Sequence, residues 1–451
     1  MTEVVIAPVG PLPRTRPLPH GQVAGEATDC PFPALLRSHR VRAGLTQRAL
    51  ADLSTVSLRA IRDLEAGRAS GRMRTIALLA ESLRLQGLMR EVFLHAALSG
   101  RRDGLFETDP GLALPKPVNA LIGRDAEVRA MVDVMESGRR RMTSISGLPG
   151  VGKTRVAVEV ATRLSARRGW PVLWLDQRSA GNGHAAAFGP LMRSLRALID
   201  SNTGDVSQVY QLVGHQEALL VLDGLAGVRV CWAVEELLAY CPGVRVISTS
   251  RAPWNIAGVR TAVISPLATP GPEWDRRSSP GALAGVPSVR LLVDRLAEVR
   301  PGFVLTPENA GAAAELCQRL DGLPLAVEAL AERFRVLSLR QLTQMPVPDL
   351  LDLAVPGPRG AARETIGGLL RSSYEGLGTE HRAILRELAR LDRALTVADV
   401  ALLRRQRLDE VVEDLSVLIG HGLLRTSHGE QATELHIPPL LRALLLGDGG
   451  F

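Results

Sequence analysis

At 451 residues the chain exceeds what one ordinary hydrophobic core fills, and its length points to about three domains. A hydrophobic content of 46% with 22% charged residues excludes a disordered or fibrous protein, and the 3% aromatic content leaves Leu, Val and Ala to build the interior, which favours helices. The net charge of +7 is local, because residues 34–103 hold thirteen Arg against six Asp and Glu, so the remainder is close to neutral and that segment alone calls for a polyanion partner.

The first stretch, 1–31, carries Pro8, Pro11, Pro13, Pro17, Pro19 and Pro31 with little periodic hydrophobicity and is expected to be a disordered N-terminal segment. It lacks a basic segment followed by an apolar one, and no apolar run in the chain approaches the ~18 residues of a membrane span. Cys30, Cys231, Cys241 and Cys317 have neither C-x-x-C nor histidine-paired metal spacing, as expected of thiols in a reducing compartment. The expected location is cytoplasmic, with no membrane partner.

Residues 32–98 read as short amphipathic helices with tight breaks. Thr46 is placed as an N-cap, followed by Gln47 and an apolar face at Leu50 and Leu53. Ser54-Thr55-Val56 makes a turn, Ser57 caps the next helix, and Gly67 closes it. Two capped helices joined by a short turn, the second bearing outward arginines, form a helix-turn-helix arrangement whose second helix enters the major groove. Ser57, Leu58, Arg59 and Arg62 are then candidates for base edges, and Gln47 for a phosphate or base. The stretch resembles the phage-repressor (Cro-like, XRE) helix-turn-helix family through Leu36-Arg37, Gly44-Leu45-Thr46-Gln47, Val56-Ser57, Ile61, Leu64-Glu65-Ala66-Gly67 and a closing helix at 75–85.

A Gly- and Pro-bearing linker at 99–118 leads into an α/β segment, 119–268, with strand-like runs at 143–146, 172–176, 218–223 and 244–249. Gly147-Leu148-Pro149-Gly150-Val151-Gly152-Lys153-Thr154 fits G-x-x-x-x-G-K-[ST] between a strand at 141–146 and a helix at 155–164. Gly147, Gly150 and Gly152 let backbone N–H groups face phosphate oxygens. Lys153 is expected on the β- and γ-phosphates and Thr154 on Mg²⁺. Lys153 is one of only two lysines among 54 basic residues, so a compact ammonium stands where a flat guanidinium would fit poorly. The run 218–223 ends in Asp223, the expected second Mg²⁺ contact at the carboxyl edge of a parallel sheet. Gly224 follows, where an active hydrolase often has a second carboxylate, and Glu235 or Glu236 would substitute only if the fold returned them to the site. Hydrolysis is therefore expected to be slow or absent: at most a slow ATPase. Arg251 ends the next strand, within reach of a γ-phosphate.

A patch rich in Pro, Gly and Ser at 266–288 precedes a helical domain, 286–345, and a break at 345–362 precedes a last helical unit, 363–446. From Leu121-Ile122-Gly123-Arg124, the phosphate loop, Ser250-Arg251 and Asp321-Gly322-Leu323-Pro324-Leu325-Ala326, residues 118–446 resemble the STAND ATPases of NB-ARC type found in bacterial transcriptional regulators. The resemblance implies ATP or ADP with Mg²⁺, a P-loop NTPase domain on a parallel sheet, a helical domain and a terminal winged helix. It puts Ile122, Gly123 and Arg124 along the adenine, Pro324 against the base or ribose, and His436 on the β-phosphate of ADP. Ile437 replaces the family's Asp after that histidine, implying a weaker lock.

Family members usually continue into sensor repeats, which this sequence lacks, implying a separate sensor protein or a switch responding to nucleotide alone. The expected function is a nucleotide-switched transcriptional regulator that binds double-stranded DNA and self-associates in its ATP state. Two other classes stand beside it: an NLR-like signalling scaffold or defence ATPase with an adaptor at its N-terminus, and a housekeeping P-loop ATPase. Local positive charge favours the first, and Gly224 disfavours the last.

Overall fold

The computed structural model describes residues 31–85, 114–176, 216–271, 280–355, 364–428 and 433–447, except Ser70, Val118, Ala226, Asn255, Ala257 and Asp392, together with isolated residues within 90–97 and 195–213. The segment expected to be disordered and most of the expected linker lie outside the described residues. The chain divides into two compact units, residues 1–85 with 93–104 and residues 86–92 with 105–451.

In the first unit, α1 (Pro31–Arg42), α2 (Gln47–Ser54), α3 (Leu58–Glu65) and α4 (Met73–Ser82) surround Leu36, Leu50, Ile61, Leu64, Ile76 and Leu79, all buried. Phe93 is fully buried and meets Phe32 with ring centroids 5.1 Å apart. The anticipated caps form: the Thr46 side chain accepts from Ala49 N–H, and Ser57 from Ala60 N–H. Thr55, left-handed at φ 56°, ends α2 one residue later than the sequence suggests, so Ser54 belongs to the helix and bonds the Leu50 carbonyl. Val56 is buried, as its place in the turn requires.

The second unit opens with α5 (Asp125–Glu136) and a five-stranded parallel sheet in the order β2-β3-β4-β1-β5. Its strands are β1 (Met142–Ser146), β2 (Val172–Asp176), β3 (Ala218–Asp223), β4 (Val244–Thr249) and β5 (Arg260–Val263). β2, β3 and β4 match the sequence expectation residue for residue, because β2 and β3 are apolar runs ending in Asp and β4 carries the buried Val244, Val246 and Ile247. β5 was not foreseen; it is an edge strand with mostly exposed side chains, so no apolar run announces it. α6 (Lys153–Arg168) follows β1, and α7 (Val228–Tyr240) links β3 to β4. Since β4 separates β1 from β3, the phosphate loop and Asp223 rise from non-adjacent strands with Thr249 between them.

Six helices come next: α8 (Pro280–Ala284), α9 (Pro287–Val299), α10 (Pro307–Arg319), α11 (Pro324–Arg333), α12 (Leu339–Thr343) and α13 (Val347–Leu351). Proline in the first turn starts α9, α10 and α11, where its missing N–H removes no helical bond. The last part comprises α14 (Ile366–Glu375), α15 (Thr379–Ala389), β6 (Leu395–Thr396), α16 (Val397–Arg404), α17 (Leu408–Gly420), β7 (Arg425–His428), β8 (Thr433–His436) and α18 (Pro439–Gly447). Its strands pair antiparallel in the order β6-β8-β7. No helix among the described residues is long and apolar enough to cross a membrane.

Candidate nucleotide and nucleic-acid sites

β1 delivers the chain into the phosphate loop, and three glycines take backbone conformations closed to L side chains: Gly147 at φ 138°, Gly150 at 79° and Gly152 at 99°. A Cβ on Gly147 would lie 2.5 Å from the Ile264 carbonyl oxygen, and one on Gly150 would lie 2.6 Å from Leu325 Cβ. The loop is therefore clamped between the segment after β5 and the turn that opens α11. Leu325 N–H donates to the Gly150 carbonyl at 3.2 Å, completing that clamp.

Lys153, the first residue of α6, points its ammonium back at the loop and donates to the carbonyls of Gly147 (2.9 Å) and Leu148 (2.8 Å). Burial, with the positive Arg251 nearby, pushes its pKa down to about 8, while Asp223 pulls the other way. A charged amine held there is short of counter-charge, and phosphate oxygens would supply it. Thr154 Oγ1 donates to Asp223 Oδ1 at 2.7 Å, and Thr249 Oγ1 donates to the same oxygen at 2.6 Å. Thr249 Oγ1 also accepts from Gly224 N–H at 2.9 Å, so β4 fixes both the carboxylate and the turn after it. A hydroxyl and a carboxylate side by side are the oxygen donors Mg²⁺ takes when phosphates fill its other positions. The residues fit a magnesium nucleotide. Glu235 does not return to this place: it lines a cleft with residues 138–142, at the opposite, amino edge of the sheet.

The remaining expected nucleotide contacts fall into two groups. Ile122 is buried, Gly123 has φ 65° with Pro287 filling the place of a Cβ, and Pro324 is the first residue of α11. Arg124 is buried as well, but its guanidinium is spent on stitching: it bonds Glu127 at 3.0 Å, the Val151 carbonyl at 3.5 Å and the Ser265 carbonyl. Arg251 is exposed and donates to Ser372 Oγ of α14 at 2.7 Å. His436 Nε2 bonds Ser427 Oγ at 2.7 Å and lies 3.5 Å from Glu434, all on the β7–β8 pair.

Contacts from the C-terminal part reach the loop itself. Gly422, left-handed at φ 73°, sits so close that a Cβ there would be 2.8 Å from Leu148 N, and a Cβ on Gly420 would be 2.3 Å from Pro253 Cγ. Three residues beyond Gly422, Arg425 clasps Asp321 with both arms, one of them at 2.7 Å. Asp321 is itself left-handed at φ 54° and immediately precedes Gly322-Leu323-Pro324-Leu325. Burial pushes its carboxyl up, and Arg425 counteracts this only in part. Sequence reading missed Thr249, Ser372, Gly422 and the Asp321–Arg425 pair. Only the Gly422 turn left a local trace, as the second glycine of a Gly-His-Gly stretch closing an apolar helix.

In the helix-turn-helix unit, Arg59 is 94% exposed and Arg62 is exposed beside it on α3, with Ser57 exposed and Leu58 half-buried at its start. The Gln47 amide nitrogen donates to Glu65 Oε2 at 2.7 Å, next to the Arg40–Glu65 ion pair at 2.6 Å. Burial alone would raise the Glu65 carboxyl; hydrogen bonds from Arg40 and Gln47 outweigh it and hold it below the usual carboxylate range. Gln47 thus fastens α2 to α3 through its amide nitrogen.

Residues 32–93 match the helix-turn-helix domain family and residues 120–244 match the AAA ATPase domain family. The chain therefore carries a helix-turn-helix domain followed by a P-loop ATPase domain of AAA type. A Mycobacterium tuberculosis protein designated an HTH-type transcriptional regulator is 28% identical over 322 residues, covering 69% of this chain and 34% of the relative. An uncharacterized protein of the same organism is 24% identical over 282 residues, 60% of this chain and 65% of the other. The chain thus spans about a third of the length of the first of these relatives and just under two thirds of the second. Among solved structures, it is similar to a Walker-type ATPase of Pyrococcus abyssi (TM-score 0.44, 15% identity, 76% of this chain and 99% of that one). A STAND protein with a tetratricopeptide repeat sensor from Pyrococcus horikoshii gives TM-score 0.32 at 15% identity, over 75% of this chain and 44% of that one.

Proposed function

We propose that this chain is a cytoplasmic, nucleotide-switched regulator of transcription, a STAND-type ATPase whose P-loop unit controls how its helix-turn-helix unit engages double-stranded DNA. The observation that carries this reading is the set of contacts from the C-terminal part onto the phosphate loop. Gly422 rests on Gly147–Leu148, Arg425 holds Asp321 at the turn leaning on Gly150, and Ser372 occupies Arg251. The loop and Arg251 are thus each in contact with a group of the C-terminal part.

A bound magnesium nucleotide supplies negative phosphate oxygens and a divalent centre. Lys153 would exchange its two carbonyl partners for phosphate oxygens, while Thr154 and Asp223 would hold the metal, with Thr249 keeping Asp223 in place. With ADP, Arg251 stays on Ser372 and the C-terminal part stays closed. With ATP, Arg251 turns to the γ-phosphate and gives up Ser372, and the closed arrangement loosens. In the closed form Ile122, Gly123, Arg124 and Pro324 would border the base and ribose, and His436 would leave Ser427 to hold the β-phosphate. The order helix, strand, two helices, two strands through α15, β6, α16, α17, β7 and β8 supports treating this part as a winged helix. Gly224 after Asp223 supports slow or absent hydrolysis, leaving the nucleotide to set a conformation.

Mass spectrometry of the purified chain should find retained ADP. Amide exchange should then rise across α14 and β7 when a non-hydrolysable ATP analogue replaces ADP, and Arg425→Ala should raise it with either nucleotide. Equal protection in both nucleotide states of the unaltered chain would contradict the switch. Absence of any shift of promoter DNA at low salt would instead favour a signalling scaffold.

A further inference from the structure

Two surfaces of the second unit remain without a role, and they are complementary. The first is a cleft of about 590 Å³ at the amino edge of the parallel sheet, floored by Met142, Leu238, Ile256 and Val259 and rimmed by Arg139 and Arg140. Both arginines are exposed, and Arg140 touches the Gly258 carbonyl at 2.7 Å. One carboxylate, Glu235, lies on its wall. The second is the outward side of α16 and α17. Leu402 is 80% exposed, Leu408 56% and Val412 46%. Leu408 and Val412 stand one helical turn apart, and Asp409, which Arg407 reaches at 3.0 Å, and Glu413 lie in a parallel row beside them. A winged helix that read DNA through α17 would meet phosphates with these two carboxylates, so the face suits a protein.

We propose that α17 of one copy docks in the arginine-rimmed cleft of a second copy, Leu408 and Val412 entering the apolar floor while Asp409 and Glu413 meet Arg139 and Arg140. Charge complementarity identifies the occupant: a basic-rimmed apolar cleft and an acidic-flanked apolar helix occur on the same unit. The chain's own α17 is not that occupant, since its far end is seated by Gly420 against Pro253 at the carboxyl edge of the sheet, while the cleft opens at the amino edge. The contact joins two different faces, so it is heterologous and builds a ring or an open chain rather than a simple two-fold dimer. This inference rests on the self-association contained in the proposed function and supplies its interface.

The test is a charge exchange in the full chain, read by sedimentation with ADP and with a non-hydrolysable ATP analogue. Arg139→Glu/Arg140→Glu and Asp409→Arg/Glu413→Arg should each weaken association at least tenfold, and an equimolar mixture of the two variants should recover it as assemblies in which the two alternate. Retention of nucleotide by both variants verifies that they fold. If the unaltered chain associates and both variants match it, or if mixing restores nothing, the interface is wrong while self-association stands. If the unaltered chain is monomeric with both nucleotides, self-association itself fails.

Discussion

The two functional regions use positive charge in opposite ways. On α3, Arg59 and Arg62 project into solvent, and the buried Arg40–Glu65–Gln47 cluster beneath them holds the helix that presents them. At the phosphate loop the cation is drawn in: Lys153 is half-buried, bonded to its own loop and shifted to about 8. A projected charge acts through counterion release and tolerates small displacements, so its signature is salt dependence. A drawn-in charge acts through its shortage of partners, so its signatures are pH and conformation.

The largest effect should come from removing the drawn-in charge. Lys153→Ala deletes two charge-assisted bonds to phosphate and should weaken nucleotide binding by roughly 100-fold or more, measured by calorimetry. DNA binding by the first unit should survive it. Next in size, Arg59→Ala/Arg62→Ala should weaken operator binding by about 30-fold and flatten the log–log salt dependence by up to about two units, measured by anisotropy across a salt series. Nucleotide affinity should not change; a parallel loss there would erase the contrast between the regions.

The pH dependence tests the same contrast. Lys153 is lowered to about 8 in the free site, and phosphates would raise it, so nucleotide binding should take up a proton near and above that pH. Raising pH from 7.5 to 9.5 should weaken binding by roughly 10–30-fold, with the charged lysine lost from the free protein but kept in the complex. An affinity flat across that range would mean Lys153 is not the phosphate contact. The smallest effect concerns Gln47. Gln47→Ala should cost the first unit about 1 kcal/mol of stability, since it removes a hydrogen bond to a buried carboxylate, seen as a lower unfolding midpoint. Its salt slope for DNA should stay that of the unaltered chain.

How far these regions were legible in the sequence depended on whether their determinants are local. Thr46 and Ser57 announce their helices because a cap needs only three neighbouring residues, and the glycines around Lys153 announce the loop for the same reason. β2 and β3 were readable as apolar runs and β4 from Val244, Val246 and Ile247, whereas β5, with Arg260 and Thr261 facing outward, carries no such pattern. The Gln47–Glu65 bond was not legible because Glu65 lies eighteen residues away, on another helix. Arg425 and Asp321 are 104 residues apart, and nothing in the local text of either marks it as half of an ion pair. Gly422 meets Leu148 only because the C-terminal part folds back onto the loop. The elements and the chemistry of the phosphate contacts were thus local information. The contacts that could make them a switch were tertiary.

The most direct measurement is the affinity of the full chain for its promoter DNA at fixed salt, saturated first with ADP and then with a non-hydrolysable ATP analogue. The two affinities should differ by at least tenfold, with the difference abolished in Lys153→Ala. Identical affinities in the two nucleotide states would contradict it, leaving a DNA-binding unit and a nucleotide site that share a chain without being coupled.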